Sequence, residues 1–128
     1  MRPNANRSRR KRHAVFERDG WLCQYCGIAV KPPAVDGKNS RDMASLDHVI
    51  PTSLGGGWED ENLRTACFSC NSTKRQNSVE WLRMFFALSR TKYAEVITLS
   101  QYHQLIALGV ALEPLPVKPF FFESLNER

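Results

Sequence analysis

The stretch Leu46-Asp47-His48-Val49-Ile50-Pro51 places an acid and an imidazole side by side at the start of an apolar run. Neighbouring side chains of a β-strand point to opposite faces, so Asp47 and His48 need a strand end or a bend to serve one site. An Asp-His pair recurs by chance, and its value as a signal depends on its flanks. Here two Cys-x-x-Cys pairs and a glycine run surround it, which together favour a metal site on a zinc-stapled scaffold.

The cysteines form two pairs, Cys23-x-x-Cys26 and Cys67-x-x-Cys70, with 40 residues between the pairs. Two thiolates separated by two residues can reach one ion from a tight turn, and two such turns complete a tetrahedral four-sulfur zinc site. Such a site is structural, because no position stays open for water. In a secreted chain the same cysteines could form two disulfides. The basic N-terminus, with no apolar run of signal length after it, favours a reducing, cytoplasmic interior and therefore zinc.

Positive charge is concentrated in the half of the chain that carries these motifs. The 128 residues have a formal net charge of +5, and residues 1–77 hold 13 Lys and Arg against 8 Asp and Glu, whereas residues 78–128 hold 5 of each kind. A basic excess in that half suggests a polyanionic partner, with nucleic acid as the first candidate. A soluble basic protein without such a partner is the alternative. No stretch approaches the roughly 20 apolar residues of a membrane span, so no membrane partner is expected.

Composition divides the chain into three parts. Residues 1–12 form a basic flexible arm that is too charged to fold alone and that becomes ordered on phosphates or stays solvated. Residues 13–77 hold the motifs and predict an α+β core. Residues 78–128 predict a helical extension with a Pro- and Phe-rich tail. Within the core we expect a helix over 14–18, short strands at 21–22 and 28–30, a central strand over 46–50, a strand or turn over 62–66, and a helix from Cys70.

The C-terminal part predicts two helices and an extended tail. Ser78 is expected to cap a helix that reaches Leu88. Ser100 is expected to cap a second one, which reaches Leu108 and ends at Gly109. Residues 91–99 fit a helix or a strand equally well. The three aromatic residues at 120–122 must either pack onto the body of the protein or meet a partner.

Taken together, the motifs resemble the HNH endonuclease family, and more closely its zinc-containing, four-cysteine subgroup found in bacteria and phages. The resemblance covers roughly residues 10–77. It implies a small ββα-metal (His-Me finger) core stapled by the zinc site, with Asp47 and His48 on the first strand. The residues that carry it are Cys23, Cys26, residues 46–51, Gly55-Gly56, Asn62-Leu63, Cys67, Cys70-Asn71 and Lys74.

The resemblance also implies a chemical role for each of four side chains. His48 would be the general base that takes a proton from the attacking water, a role that a pKa near ~6.5 suits. Asp47 and Asn71 would hold one divalent ion, and their oxygen atoms suit Mg²⁺ or Mn²⁺. Asn62 would hold the loop and orient His48. The family's name has a histidine where this chain has Asn71, and a neutral amide should bind the ion more weakly than imidazole.

The sequence therefore predicts a metal-dependent endonuclease that hydrolyses DNA phosphodiester bonds. The alternative is a non-catalytic, zinc-stapled nucleic-acid-binding module. The C-terminal region is left as a surface for a protein partner or for self-association. Six basic residues are expected to contact nucleic acid, with a solvated surface as the alternative for each: Arg9, Arg10, Lys11, Arg12, Lys74 and Arg75.

Overall fold

A computed structural model describes residues 5–34 and 36–125, which form two compact units. One unit runs to Ser78 and resumes at Phe120, and the other is Val79–Pro119. Helices and a two-stranded antiparallel sheet make up the secondary structure, which confirms the α+β class. No helix in the described ranges is both long and apolar enough to cross a membrane.

The first unit is built on a strand, a strand and a helix that follow one another along the chain. Regular β1–β2 pairing ends at His48, which lies opposite Leu63. The segment directly before β2 is a single helical turn and does not pair as a strand. The backbone N–H of Ile50 therefore donates to the side chain of Asn62. The predicted strands at 21–22 and 28–30 amount to one isolated bridge. The elements are α1 (Ala5–Arg18), β1 (Ala44–His48), β2 (Leu63–Cys67) and α2 (Phe68–Lys74).

Helix α1 starts at Ala5, well before the position that the sequence predicted. Val15 and Phe16, near its C-terminal end, are buried in the core. Once such a packed turn exists, further residues add to a helix without a new nucleation penalty, and Arg and Lys are good helix formers. The basic segment therefore continues the helix through residues 5–12. Residues 1–4 of the predicted arm lie outside the described residues.

The second unit contains α3 (Val79–Ser89) and α4 (Leu99–Ala107), which share a small core of Leu88, Leu99 and Tyr102. The cap of α4 is Thr98 and not Ser100. Thr98 and Gln101 form a reciprocal capping box, which satisfies two free backbone N–H groups. Gly109 follows the helix with a φ of 85°, as the predicted stop requires. Residues 91–97 form turns and neither of the predicted elements.

The aromatic tail packs onto the first unit, which settles where its side chains go. Phe120 is buried and meets the ring of Tyr25 edge-on at 5.0 Å between centroids. The backbone N–H groups of Phe121 and Phe122 donate to the carbonyls of Tyr25 and Gln24, at 3.1 and 2.9 Å. The tail then forms the short helix α5 (Phe121–Ser124). These contacts link the end of the chain to the segment between Cys23 and Cys26.

Candidate functional site

The four cysteines form one cluster. Their sulfur atoms all lie within 4.8 Å of one another, and none is in a disulfide. Cys26 is exposed and the other three are buried. The backbone N–H groups of Cys26 and Cys70 donate to the sulfurs of Cys23 and Cys67, at 3.5 and 3.3 Å. Amide donors aimed at sulfur stabilise thiolates, so the geometry is that of a closed metal site.

Crowding within the cluster indicates that a cation belongs there. The sulfur of Cys23, followed by those of Cys26 and Cys67, raises the pKa of Cys70 far above that of a free thiol. Four neighbouring thiolates can coexist only if a positive ion balances their charge. Sulfur donors in this number are typical of structural zinc. The donor set therefore fits zinc, and the ion would join the loop after α1 to the β2–α2 junction.

A groove of about 550 Å³ lies beside β1, with residues of α1, the loop after β1 and α2 along its walls. Its polar lining contains His48 and Asn71, together with two arginines, Arg12 and Arg75. Basic and hydrogen-bonding groups around an imidazole provide a surface that suits a phosphate.

His48 is half-buried beside Trp58. The two rings meet edge to face, with centroids 4.9 Å apart. The Nε2 atom of His48 is buried and has no hydrogen-bond partner among the described residues. Burial is the main cause that lowers the pKa of His48. The charge of Asp47 raises this pKa, whereas the positive charges of Lys74 and Arg12 lower it further. The imidazole is therefore neutral over a wider pH range than that of a free histidine.

Asn62 ties together the loop that carries Trp58. Its Oδ1 atom accepts a hydrogen bond from the N–H of Ile50 at 2.8 Å, and its Nδ2 donates to the carbonyls of Ile50 and Gly57 at 3.1 and 2.9 Å. Gly56 must be glycine in this arrangement, because a Cβ there would lie 1.6 Å from the carbonyl oxygen of Ile50. Asn62 thus fixes the loop, and Trp58, which belongs to this loop, packs against His48.

Asp47 and Lys74 form a buried ion pair, and Tyr25 is hydrogen-bonded to the same carboxylate. The Nζ atom of Lys74 lies 3.1 Å from Oδ1 of Asp47, and the two side chains are 0% and 2% exposed. The same ammonium donates to the carbonyls of His48 and Val49 at 3.1 and 3.3 Å, which uses all three of its protons. Tyr25 donates its hydroxyl to Oδ2 of Asp47. Burial, followed by the charge of Asp47, raises the pKa of Tyr25 and keeps it a donor.

Comparison with known proteins agrees with these features. A sequence profile described as HNH endonuclease matches residues 23–87, which is about half of the chain. The chain belongs to the HNH endonuclease family. A search of curated proteins gives no significant match. The matched segment of this HNH protein starts at Cys23, the first residue of the cysteine cluster, contains the groove residues His48, Trp58 and Asn71, and runs on into α3.

The resemblance to HNH enzymes also implies a catalytic divalent ion. Of its two predicted ligands, only one is placed to bind an ion in the groove. Asn71 lines the groove, where its Nδ2 donates to Oγ of Ser45 at 3.1 Å. Asp47 does not line the groove, because its carboxylate is turned inward to Lys74 and Tyr25. The two predicted ligands are therefore not presented together, and a cation already neutralises the Asp47 carboxylate.

The basic residues predicted to contact nucleic acid fall into four groups. Arg9 and Arg10 are exposed on α1, and Arg12 and Arg75 line the groove. Lys11 instead forms an ion pair with Asp60. Lys74 differs from the expectation, because its buried ammonium has no exposed surface to offer a phosphate.

Two contributors to this site were missed from the sequence. Trp58 directly follows the glycine run and covers His48, and Tyr25 lies between two cysteines and binds Asp47. An aromatic residue next to three glycines was a usable signal, because a bulky side chain on a permissive backbone needs a packing partner. Nothing in the local sequence pointed from Tyr25 to Asp47.

Proposed function

We propose that this HNH protein is an endonuclease that hydrolyses phosphodiester bonds of DNA, with His48 as its general base. The observation that carries the proposal is the groove, in which a half-buried imidazole lies beside Arg12, Arg75 and Asn71. A neutral imidazole can take a proton from a water molecule as that water attacks phosphorus. The lowered pKa of His48 supports this role at neutral pH.

A divalent ion held by Asp47 and Asn71 is a further part of the proposal, and it rests on the family resemblance. Mg²⁺ or Mn²⁺ would supply positive charge for the phosphate in the transition state. Asn71 is available from the groove side, whereas Asp47 would have to share its carboxylate with Lys74 or release it. Cleavage is therefore expected to need more added metal than a preformed two-ligand site would.

The test is cleavage of supercoiled plasmid DNA by zinc-loaded protein that has been stripped of loosely held metal. Added Mg²⁺ or Mn²⁺ should restore nicking by the parent protein, and His48→Ala should remove it at unchanged zinc content and folding. His103→Ala is the matched control, because His103 is exposed and belongs to the second unit. Equal cutting by the parent protein and His48→Ala would disprove the proposed role of His48.

One observation favours a second candidate, a non-catalytic zinc-stapled module that binds nucleic acid. The carboxylate predicted to bind the catalytic ion is enclosed by Lys74 and Tyr25. That module would shift DNA in a gel and cut none under any metal. The same plasmid experiment, run beside a gel-shift assay, separates the two candidates.

A further inference from the structure

Arg75 has a backbone conformation that normally belongs to glycine. It directly follows α2 with a φ of 53° and a ψ of −122°. Residues with a Cβ atom are disfavoured at positive φ, because the Cβ crowds the neighbouring carbonyl oxygen. Strain of this kind persists only where the surrounding structure holds it, and it clusters at functional sites.

The side chain of Arg75 lies in the candidate site. It is exposed and lines the same groove as His48 and Asn71. Within residues 5–34 and 36–125, its guanidinium has no ion pair and no hydrogen bond. The turn itself is closed within the protein, because the backbone N–H and the Nδ2 of Asn77 both donate to the carbonyl of Lys74 at 3.0 Å. These bonds hold the backbone of Arg75, and its guanidinium is left free to bind a ligand.

Two neighbouring cations already have acidic partners, which leaves Arg75 and Arg12 to bind a ligand in the groove. Lys74 is buried against Asp47, and Lys11 pairs with Asp60. Arg12 lies on α1, lines the groove, and is near enough to His48 to lower its pKa. A guanidinium binds two oxygens of a phosphate through parallel hydrogen bonds, which an ammonium cannot do.

We propose that Arg75 positions a DNA backbone phosphate in the groove beside His48, together with Arg12. The inference rests on the proposed function and adds a named phosphate ligand to it. Arg75 acts on the substrate by binding and has no part in proton transfer.

Substituting Arg75 separates backbone strain from charge. Arg75→Gly removes both, Arg75→Ala removes only the charge, and Arg75→Lys keeps the charge without the planar fork. Lys38→Ala is the control, because Lys38 is an exposed loop cation that does not line the groove. All are made in the full chain with zinc bound. For each we would measure the Tm, the affinity for a short DNA duplex without divalent metal over a range of salt, and plasmid cleavage.

Arg75→Gly should melt about 4 °C above Arg75→Ala, because glycine adopts the backbone conformation freely. Both variants should bind DNA about tenfold more weakly than the parent protein, since one charge-assisted contact is lost. The slope of log affinity against log salt should fall by about 1, as expected for one phosphate contact. Arg75→Lys should keep most of the salt slope, and Lys38→Ala should match the parent protein.

Two results would overturn the inference. The phosphate contact is absent if Arg75→Gly and Arg75→Ala both keep the affinity and salt slope of the parent protein, whereas the difference in Tm between these two variants measures the backbone strain alone. A parent protein that binds no DNA rejects both the inference and the proposed function. If the parent protein binds without cutting, only hydrolysis is rejected, and the reduced salt slope of Arg75→Gly still supports the phosphate contact.

Discussion

At the scale of single residues, the environment of His48 determines when it can act as a base. Burial lowers its pKa below the usual 6.5. A base works in its deprotonated form, so a lower pKa moves the acid limb of the rate profile to lower pH. We predict that cleavage rises with pH, is half-maximal below pH 6.5, and is flat around neutrality. Initial rates at fixed metal concentration measure this, with circular dichroism to show that the fold persists. A midpoint above pH 7 would contradict it.

Trp58 gives a second prediction at this scale, because it covers His48 while remaining 39% exposed itself. An edge-to-face aromatic contact contributes about 1 kcal/mol and restricts how the imidazole can turn. Trp58→Ala should lower kcat about tenfold by that loss of orientation. It should also move the pH midpoint up towards 6.5, because the imidazole becomes better hydrated. Trp58→Phe should retain most of both properties. A Trp58→Ala protein with the midpoint of the parent would show that Trp58 does not shield His48.

The residue pattern predicted which side chains matter better than it predicted how they meet. The cluster of Cys23, Cys26, Cys67 and Cys70 was predicted from their spacing, because two residues between thiols let both reach one ion. The choice of metal over disulfides needed the separate argument for a reducing interior. Alternation along a strand meant that Asp47 and His48 needed a strand end or a bend to serve one site. In the structure Asp47 is instead turned away from the groove, to Lys74 and Tyr25. What local spacing cannot specify is the partner of an inward-facing acid, because Lys74 and Tyr25 reach Asp47 from distant parts of the chain.

At the scale of elements, the Lys74–Asp47 pair joins α2 to β1. Removing one partner of a buried ion pair leaves an uncompensated charge, at a cost of about 3 kcal/mol. We predict that Lys74→Met and Asp47→Asn each destabilise the protein by about that amount, and that the double variant loses clearly less than the two losses combined. Urea unfolding of the zinc-loaded protein without other metals measures this.

The exposed Lys31–Asp42 pair is the control for that cycle, with a nitrogen–oxygen distance of 3.2 Å. Lys31→Met should leave the urea midpoint nearly unchanged, because solvent screens surface pairs. Strictly additive losses for Lys74→Met and Asp47→Asn would show that the buried contact does not couple the two elements.

The limits of helices α1 and α4 show what decides an element boundary. The start of α1 predicted from the sequence is too late. The charge of residues 5–12 favours a flexible arm, but the packed turn at Val15 and Phe16 lets the helix extend into them. It placed the cap of α4 at Ser100, although Thr98 has the glutamine partner three residues on that a capping box needs. Local composition therefore identified both helices, and the specific side-chain contacts set their ends.

At the scale of the whole molecule, the excess positive charge, the cysteine cluster and the groove all belong to one unit. The sequence concentrates its positive charge in residues 1–77, and the unit that runs to Ser78 contains the cysteine cluster and the groove. The aromatic tail rejoins this unit from the far end of the chain. From the sequence, packing and partner binding were both open for that tail, because a run of phenylalanines is compatible with either. Contacts with Tyr25 and Gln24 decide for packing.

Zinc should control the stability of this unit more than any single side chain does. A structural zinc ion contributes roughly 10 kcal/mol of binding free energy in small domains, whereas whole domains are stable by only about 5–15 kcal/mol. We predict one zinc per chain, and a large drop in Tm with loss of plasmid cleavage when a strong chelator removes it. Zn²⁺ should restore the Tm, and Zn²⁺ together with Mg²⁺ should restore cleavage. Mg²⁺ alone should restore neither, because magnesium does not bind thiolates well. Cys70→Ser should behave like the zinc-free protein. If the zinc-free chain kept its Tm, the cysteine cluster would have no structural role, and packing around Val15, Phe16 and Leu63 would have to hold the groove in place by itself.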